Sequence, residues 1–248
     1  MNRIPIYLLL LIAFASCKTQ NIFQDSKSER KALAAEIDSA FLYNPEYQYR
    51  IRKDDKINIS VWGQEELSVG SVYGIYNSNE VYGKWLLVDL EGNVEVPKIG
   101  TFQVEGRSIM EIKDTLKTRF NQWIVNPIID VKVLNKEITV IGEVRDPAVI
   151  QVDKDNNNLL EIISRTGGFA EYANMKYVKI LRQEGENVRM ANLDLTKSGG
   201  YLQKNIQLHP GDIVVVPSKK YKEFDRRVSI IIPFTTAITA AAIILAAF

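Results

Sequence analysis

Apolar positions change their spacing twice between Val88 and Val133. The run VDLEGNVEV alternates like a strand and is broken at Glu91-Gly92-Asn93, a turn signal. Pro97-Lys98-Ile99-Gly100 marks a second turn, and Thr101 to Val104 a short strand. Ile109, Ile112, Leu116 and Phe120 then recur at helical spacing and make one apolar face. Ser108 and Glu111 have the spacing of a capping box at its start, and Asn126-Pro127 is expected to end it. Ile128 to Leu134 returns to period two, with Ile129, Val131 and Val133 on one face. Strand, turn, strand, helix and strand thus follow within one compact α+β unit. Upstream, Tyr49 to Val61 reads as strand, turn, strand, with Ile57, Ile59 and Val61 alternating and Lys53-Asp54-Asp55 at the turn.

A second unit follows at 136–217. Glu137 to Val144 and Ala148 to Val152 form a hairpin around Arg145-Asp146-Pro147. Asn158 and Glu161 repeat the cap-box spacing ahead of a short helix carrying Leu159, Leu160, Ile162 and Ile163, and Gly167-Gly168 stops it. Tyr177 to Leu181, Val188 to Leu193 and Ile213 to Val216 are strands, the last entered from His209-Pro210-Gly211-Asp212. The fold class is therefore α+β: two small α+β domains, at 48–134 and 136–217.

The ends carry different patterns. Arg3 followed by the apolar run Ile4 to Phe14 fits a signal peptide over 1–16, since the run is too short to span a bilayer. Residues 17–47 are a polar lead-in, within which Leu33, Ile37 and Phe41 at spacing four predict a helix over Ser26 to Phe41. Residues 218–248 begin with Lys219, Lys220, Lys222, Arg226 and Arg227 and continue into Val228 to Phe248, which holds no charge. As a helix that last stretch is about 32 Å long, enough to cross a hydrocarbon core of about 30 Å. Thr235, Thr239, Ala242 and Ala246 share a small, less apolar face, and Ile231, Phe234, Ile238, Leu245 and Phe248 lie on another.

Composition narrows the chemistry. The chain has 248 residues and a net charge of +1, which gives no general electrostatic case for nucleic acid. One His and one Cys exclude a disulfide framework and a His/Cys metal cluster. No phosphate loop, dinucleotide fingerprint or nucleophile elbow occurs. A Ser-His-Asp triad has only His209 to draw on, and its HPGD context reads as a solvated turn histidine. Asp54-Asp55 reads as an Asx turn rather than an acid/base pair. No catalytic residue, metal ligand or cofactor is expected.

Several segments resemble one family. D-x-x-G-N-V-x-V-P-x-I-G at Asp89 to Gly100, V-E-G-R-S at Val104 to Ser108 and N-P-x-x-x-V-x-V at Asn126 to Val133 are similar to the periplasmic domain of outer-membrane capsule and exopolysaccharide export proteins. Lys53-Asp54-Asp55 departs from that family's Pro-Gly-Asp, Asp54 standing for the glycine. V-I-G-E-V-R-D-P, R-T-G-G-F and L-H-P-G-D-I-V-V-V-P resemble the soluble-ligand-binding β-grasp domain that accompanies it, of which this chain has one. Phe14-Ala15-Ser16-Cys17 resembles a lipobox, which makes Cys17 the lipid-attachment residue, and Lys18 after it favours the outer membrane.

The resemblance implies a lipid-anchored outer-membrane subunit with periplasmic domains and a ring of identical copies. The C-terminal helices would cross the membrane together, with Thr235, Thr239, Ala242 and Ala246 toward the pore. It also implies an exported capsular or extracellular polysaccharide and an inner-membrane co-polymerase or tyrosine kinase as partner. A plain single-span anchor is the other reading of that helix. Tyr73, Tyr76, Tyr82 and Trp85, in the Gly-, Ser- and Tyr-rich stretch from Ser68 and just beyond it, either stack on sugar rings or fold back on the core. Two other functions fit the same residues: a periplasmic glycan-binding lipoprotein, and an inner-membrane accessory protein of polymer synthesis.

Overall fold

The computed structural model describes residues 39–64, 67–68, 85–196, 206–229 and 233. They form a mixed α+β structure with two hydrophobic cores.

The first unit is built on β1, Lys56–Val61, the middle strand of an antiparallel sheet with β2, Leu86–Leu87, and β5, Ile129–Val133. Ile57 pairs with Val133, Ile59 with Val131 and Val61 with Ile129. Side chains alternate across a strand, so this register sends Ile57, Ile59, Val61, Val131 and Val133 to one buried face. The hairpin of β3, Asn93–Val96, and β4, Gly100–Gln103, adds Val94, Val96 and Phe102 to the same core. Gly92 (φ +81) opens the hairpin: a Cβ there would meet the Glu105 side chain at 2.5 Å.

Helix α1, Ile109–Phe120, packs on β5 and buries Ile112, Leu116 and Phe120. Its capping box forms as the spacing predicts. The Glu111 amide donates to Ser108 Oγ (3.3 Å), and the Ser108 amide donates to Glu111 Oε2 (2.7 Å). That second bond holds the Glu111 carboxyl below its ordinary range. The helix stops six residues before Asn126-Pro127. Turns fill the interval, with the Trp123 and Ile124 amides both donating to Phe120 O. Asn126 is itself left-handed (φ 51), so the Asn-Pro pair turns the chain into β5 rather than terminating α1.

The second unit is a sheet of five strands: β6, Glu137–Gly142; β7, Ala148–Gln151; β9, Val178–Glu184; β10, Asn187–Leu193; and β12, Ile213–Val216. Their order is β10-β9-β12-β6-β7. β12 pairs parallel with β6 and antiparallel with β9. Gly142 (φ +98) ends β6 where a Cβ would lie 2.1 Å from Val216 O, so only glycine allows that close approach. A short ladder joins β8, Asn157–Asn158, to β11, Gln207–Leu208. Helix α2, Leu159–Arg165, buries Leu159, Ile162 and Ile163. Only half of the second cap box forms. Asn158 Oδ1 accepts from the Leu160 amide (2.8 Å), but Glu161 turns outward to Lys154 (2.7 Å) and Arg165 (2.8 Å). Gly167 (φ +72) and Gly168 (φ +87) close α2, the Gly168 amide donating to Ile163 O.

The helix over Ser26 to Phe41 lies outside the described residues as far as residue 38, and its last three form a 3-10 turn, Ser39–Phe41. Residues 222–229 are helical; beyond Ser229 the segment Val228 to Phe248 lies outside the described residues, Pro233 excepted. Among the described residues no helix is long and apolar enough to cross a membrane.

Candidate functional site

The lead-in before β1 joins the two units. Phe41 is fully buried in the second core, more than ninety residues ahead of that domain's first strand. The Arg182 guanidinium sits 4.7 Å from its ring centroid. Arg182 donates to Asp212 from Nε (2.9 Å) and Nη2 (2.7 Å), to Gln207 O (3.1 Å) and to Ala40 O. Asp212 also accepts from the His209 amide (2.8 Å). This planar fork satisfies both carboxylate oxygens and two backbone carbonyls at once. Burial nevertheless outweighs the guanidinium and holds the Asp212 carboxyl above its ordinary range.

Further along the same segment the Asn44 amide donates to Gln207 Oε1 (2.7 Å). Tyr47 stacks on His209 with centroids 3.6 Å apart and planes 6° from parallel. Burial, with Arg182 and Arg52 adding to it, lowers His209 to about 3, so the imidazole is neutral; burial raises Tyr47 to about 12. His209 is thus a half-buried packing partner and not the solvated turn residue expected. Tyr49 continues the seam: its amide donates to Asp155 Oδ2 (3.2 Å), and its hydroxyl to both oxygens of Asp55 (3.0 and 2.9 Å). Buried Lys136 donates to Asp155 Oδ1 (2.9 Å) and Asp153 O (2.7 Å). Asp55 accepts from the Arg52 amide (2.8 Å) and is raised by burial, while Asp54 takes a left-handed turn conformation (φ 64). The acid pair is therefore structural.

Between the lead-in, the Glu105-Gly106 turn and the end of β9 lies an open groove of about 740 Å³. Asn44, Glu46, Tyr47, Arg50, Arg52 and His209 contribute to its walls. Such a surface offers hydrogen-bonding groups of both kinds beside an aromatic pair, and it is too open to enclose a small ligand. Among the described residues no group of His, Cys, Asp and Glu is placed to hold a metal ion.

Comparison with known proteins decides what these units are. Residues 43–134 match the family described as polysaccharide biosynthesis/export protein, and residues 136–216 match the SLBB domain. The chain belongs to the polysaccharide export family. It is similar to EPS I polysaccharide export outer membrane protein EpsA of Ralstonia solanacearum, with 28% identity over 191 residues, 71% of this chain. The chain spans about half (50%) of that relative's length.

Of the site candidates named from the sequence, Trp85 is the one among the described residues. Trp85 stands half-buried beside β2, with Lys56 Nζ 4.7 Å from its ring centroid, and does not line the groove. Tyr73, Tyr76, Tyr82, Cys17, Thr235, Thr239, Ala242 and Ala246 lie outside the described residues. Of the seam residues, Tyr47, Lys136 and Arg182 were missed, and Phe41 and His209 were read as a helix-stripe and a turn residue. One signal existed. In VKILRQE, Val178, Ile180 and Arg182 share the inward register, so an arginine there must find a buried acid.

Proposed function

We propose that this chain is a subunit of a lipid-anchored, oligomeric outer-membrane assembly that exports capsular or extracellular polysaccharide and catalyses no reaction. The observation that carries the reading is the pair of back-to-back matches, the export domain at 43–134 and the SLBB domain at 136–216. The relative's name, a polysaccharide export outer membrane protein, agrees with it. In this reading Cys17 carries the lipid, and the polymer is the cargo of a ring of copies. An inner-membrane co-polymerase or tyrosine kinase delivers the chain. Tyr73, Tyr76, Tyr82 and Trp85 are saccharide contacts, as is the groove beside Tyr47 and His209, whose polar rim suits a hydroxyl-rich polymer.

Val228 to Phe248 lines the pore in this account. A charge facing lipid at mid-membrane costs about 2.5–3.5 kcal/mol on insertion scales, and far less facing water. Thr239→Asp should therefore leave assembly and export intact, while Ile238→Asp, one residue away on the bulky face, should abolish both. Surface polysaccharide measured in cells carrying each variant, at matched protein level, tests this. Equal behaviour of the two variants reduces the segment to an anchor. The groove also fits a glycan-binding lipoprotein without a pore. A monomer in detergent extracts that binds the cell's own glycan would favour that second reading.

A further inference from the structure

Residues 217–229 leave the SLBB domain along a fixed path. The Asn174 amide donates to Pro217 O (2.8 Å), and the Lys219 amide donates to Tyr172 O (2.8 Å). Tyr221 packs edge-on against Tyr172 with centroids 6.0 Å apart. Lys222 pairs with Glu143, at the end of β6. One side of the helical stretch 222–229 is thereby held against the domain. The other side presents Phe224, 67% exposed, while Tyr221, although packed on Tyr172, stays 50% exposed one turn before it. Lys220, Arg226 and Arg227 are exposed along the same stretch.

The charge here is concentrated. Residues 219–227 hold five cations, Lys219, Lys220, Lys222, Arg226 and Arg227, against Glu223 and Asp225, in a chain whose net charge is only +1. The next stretch, Val228 to Phe248, holds no charge at all. An aromatic ring near basic side chains fits the boundary between headgroups and acyl chains. Long basic side chains reach from that depth to anionic headgroups.

We propose that residues 219–229 lie on a phospholipid surface carrying anionic headgroups. Phe224 and Tyr221 enter the interface, and Lys220, Arg226 and Arg227 contact the headgroups. Because the same stretch is bonded to Tyr172 and Glu143, the contact sets the height and tilt of the SLBB domain above the membrane. The inference rests on the proposed membrane placement of the chain and adds to it a peripheral contact that a bare span does not require.

The test uses the full-length protein in lipid nanodiscs of phosphatidylcholine, with or without phosphatidylglycerol, the acyl chains brominated near the headgroup. Phe224→Trp adds an indole whose emission is read as the difference from the wild type. Val188→Trp, at an exposed position of β10, is the control. The added indole at position 224 should be quenched and the one at position 188 should not. Replacing Lys220, Arg226 and Arg227 by Glu should abolish the phosphatidylglycerol-dependent part of the quenching, since about fivefold in surface affinity per basic residue compounds to about a hundredfold over three. A chain that enters the nanodisc with the position-224 indole unquenched overturns the inference and leaves the span standing. Quenching indifferent to phosphatidylglycerol and to the charge reversals overturns the assignment to anionic headgroups. A chain recovered outside the lipid overturns both the span and the contact.

Discussion

Removing the Arg182 side chain tests whether the lead-in and the SLBB domain are one folding unit. Arg182→Met keeps the length and the apolar stem but deletes four hydrogen bonds, two to Asp212 and one each to Gln207 O and Ala40 O. Asp212, with a side chain 1% exposed, is left with only the His209 amide. Breaking one partner of a buried pair costs about 3–5 kcal/mol, because the surviving charge has no solvent. For a domain of this size about 1 kcal/mol moves the melting temperature by about 4–8 °C, so a drop of at least about 12 °C is expected. Arg182→Met/Asp212→Leu removes the stranded charge and should melt above Arg182→Met alone, with a coupling energy of about 2 kcal/mol.

The same variant has a pH signature. Burial already raises the folded-state pKa of Asp212, and loss of Arg182 raises it further. A carboxyl whose folded pKa lies above its unfolded one destabilises the fold while ionised, and the penalty is relieved as pH falls through the folded pKa. Arg182 also lowers His209, so its removal makes protonation of that imidazole easier as well. Both effects narrow the gap to wild type in acid. Scanning calorimetry of the full chain in detergent, repeated from neutral to mildly acidic pH, gives the numbers. A drop smaller than about 4 °C, or a gap that widens in acid, would refute the reasoning.

The other predictions follow from single contacts. Phe41→Ala should destabilise the SLBB domain by about 3–5 kcal/mol, and hydrogen exchange should show β6, β9 and β12 losing protection while α1 keeps it. Ser108→Ala should cost about 1 kcal/mol in a thermal melt, and Gly168→Val about 1–3 kcal/mol for forcing a β-branched residue to φ +87. His209, lowered to about 3, favours the folded state fully above its unfolded value near 6.5, and that stability is lost as pH falls below it. Its partial exposure discounts the loss between pH 7 and pH 5 to about 1 kcal/mol. A His209→Phe variant should not show that loss in parallel denaturant titrations.

Periodicity carried most of the fold. The inward faces of β1 and β5 and the apolar stripe of α1 were legible because local spacing alone decides which side chains meet a core. The Ser108 cap was legible because its partners are three residues apart. The second cap was half-legible, since Glu161 has nearby cations, Lys154 and Arg165, that compete for its carboxylate. The seam was not legible. Asn44 meets Gln207, and Tyr47 meets His209, across more than 150 residues, and no local pattern encodes such pairings. Phe41 fitted a helical stripe with Leu33 and Ile37, but its ring belongs to a core assembled much later in the chain.

The central claim is export of polysaccharide across the outer membrane. It is tested most directly by deleting this chain and quantifying polymer at the cell surface and inside the envelope separately. The account predicts that surface polymer disappears while intracellular or periplasmic polymer persists, and that the intact chain restores the surface signal. Normal surface polymer in the deletion strain, or equal loss from both compartments, would contradict it.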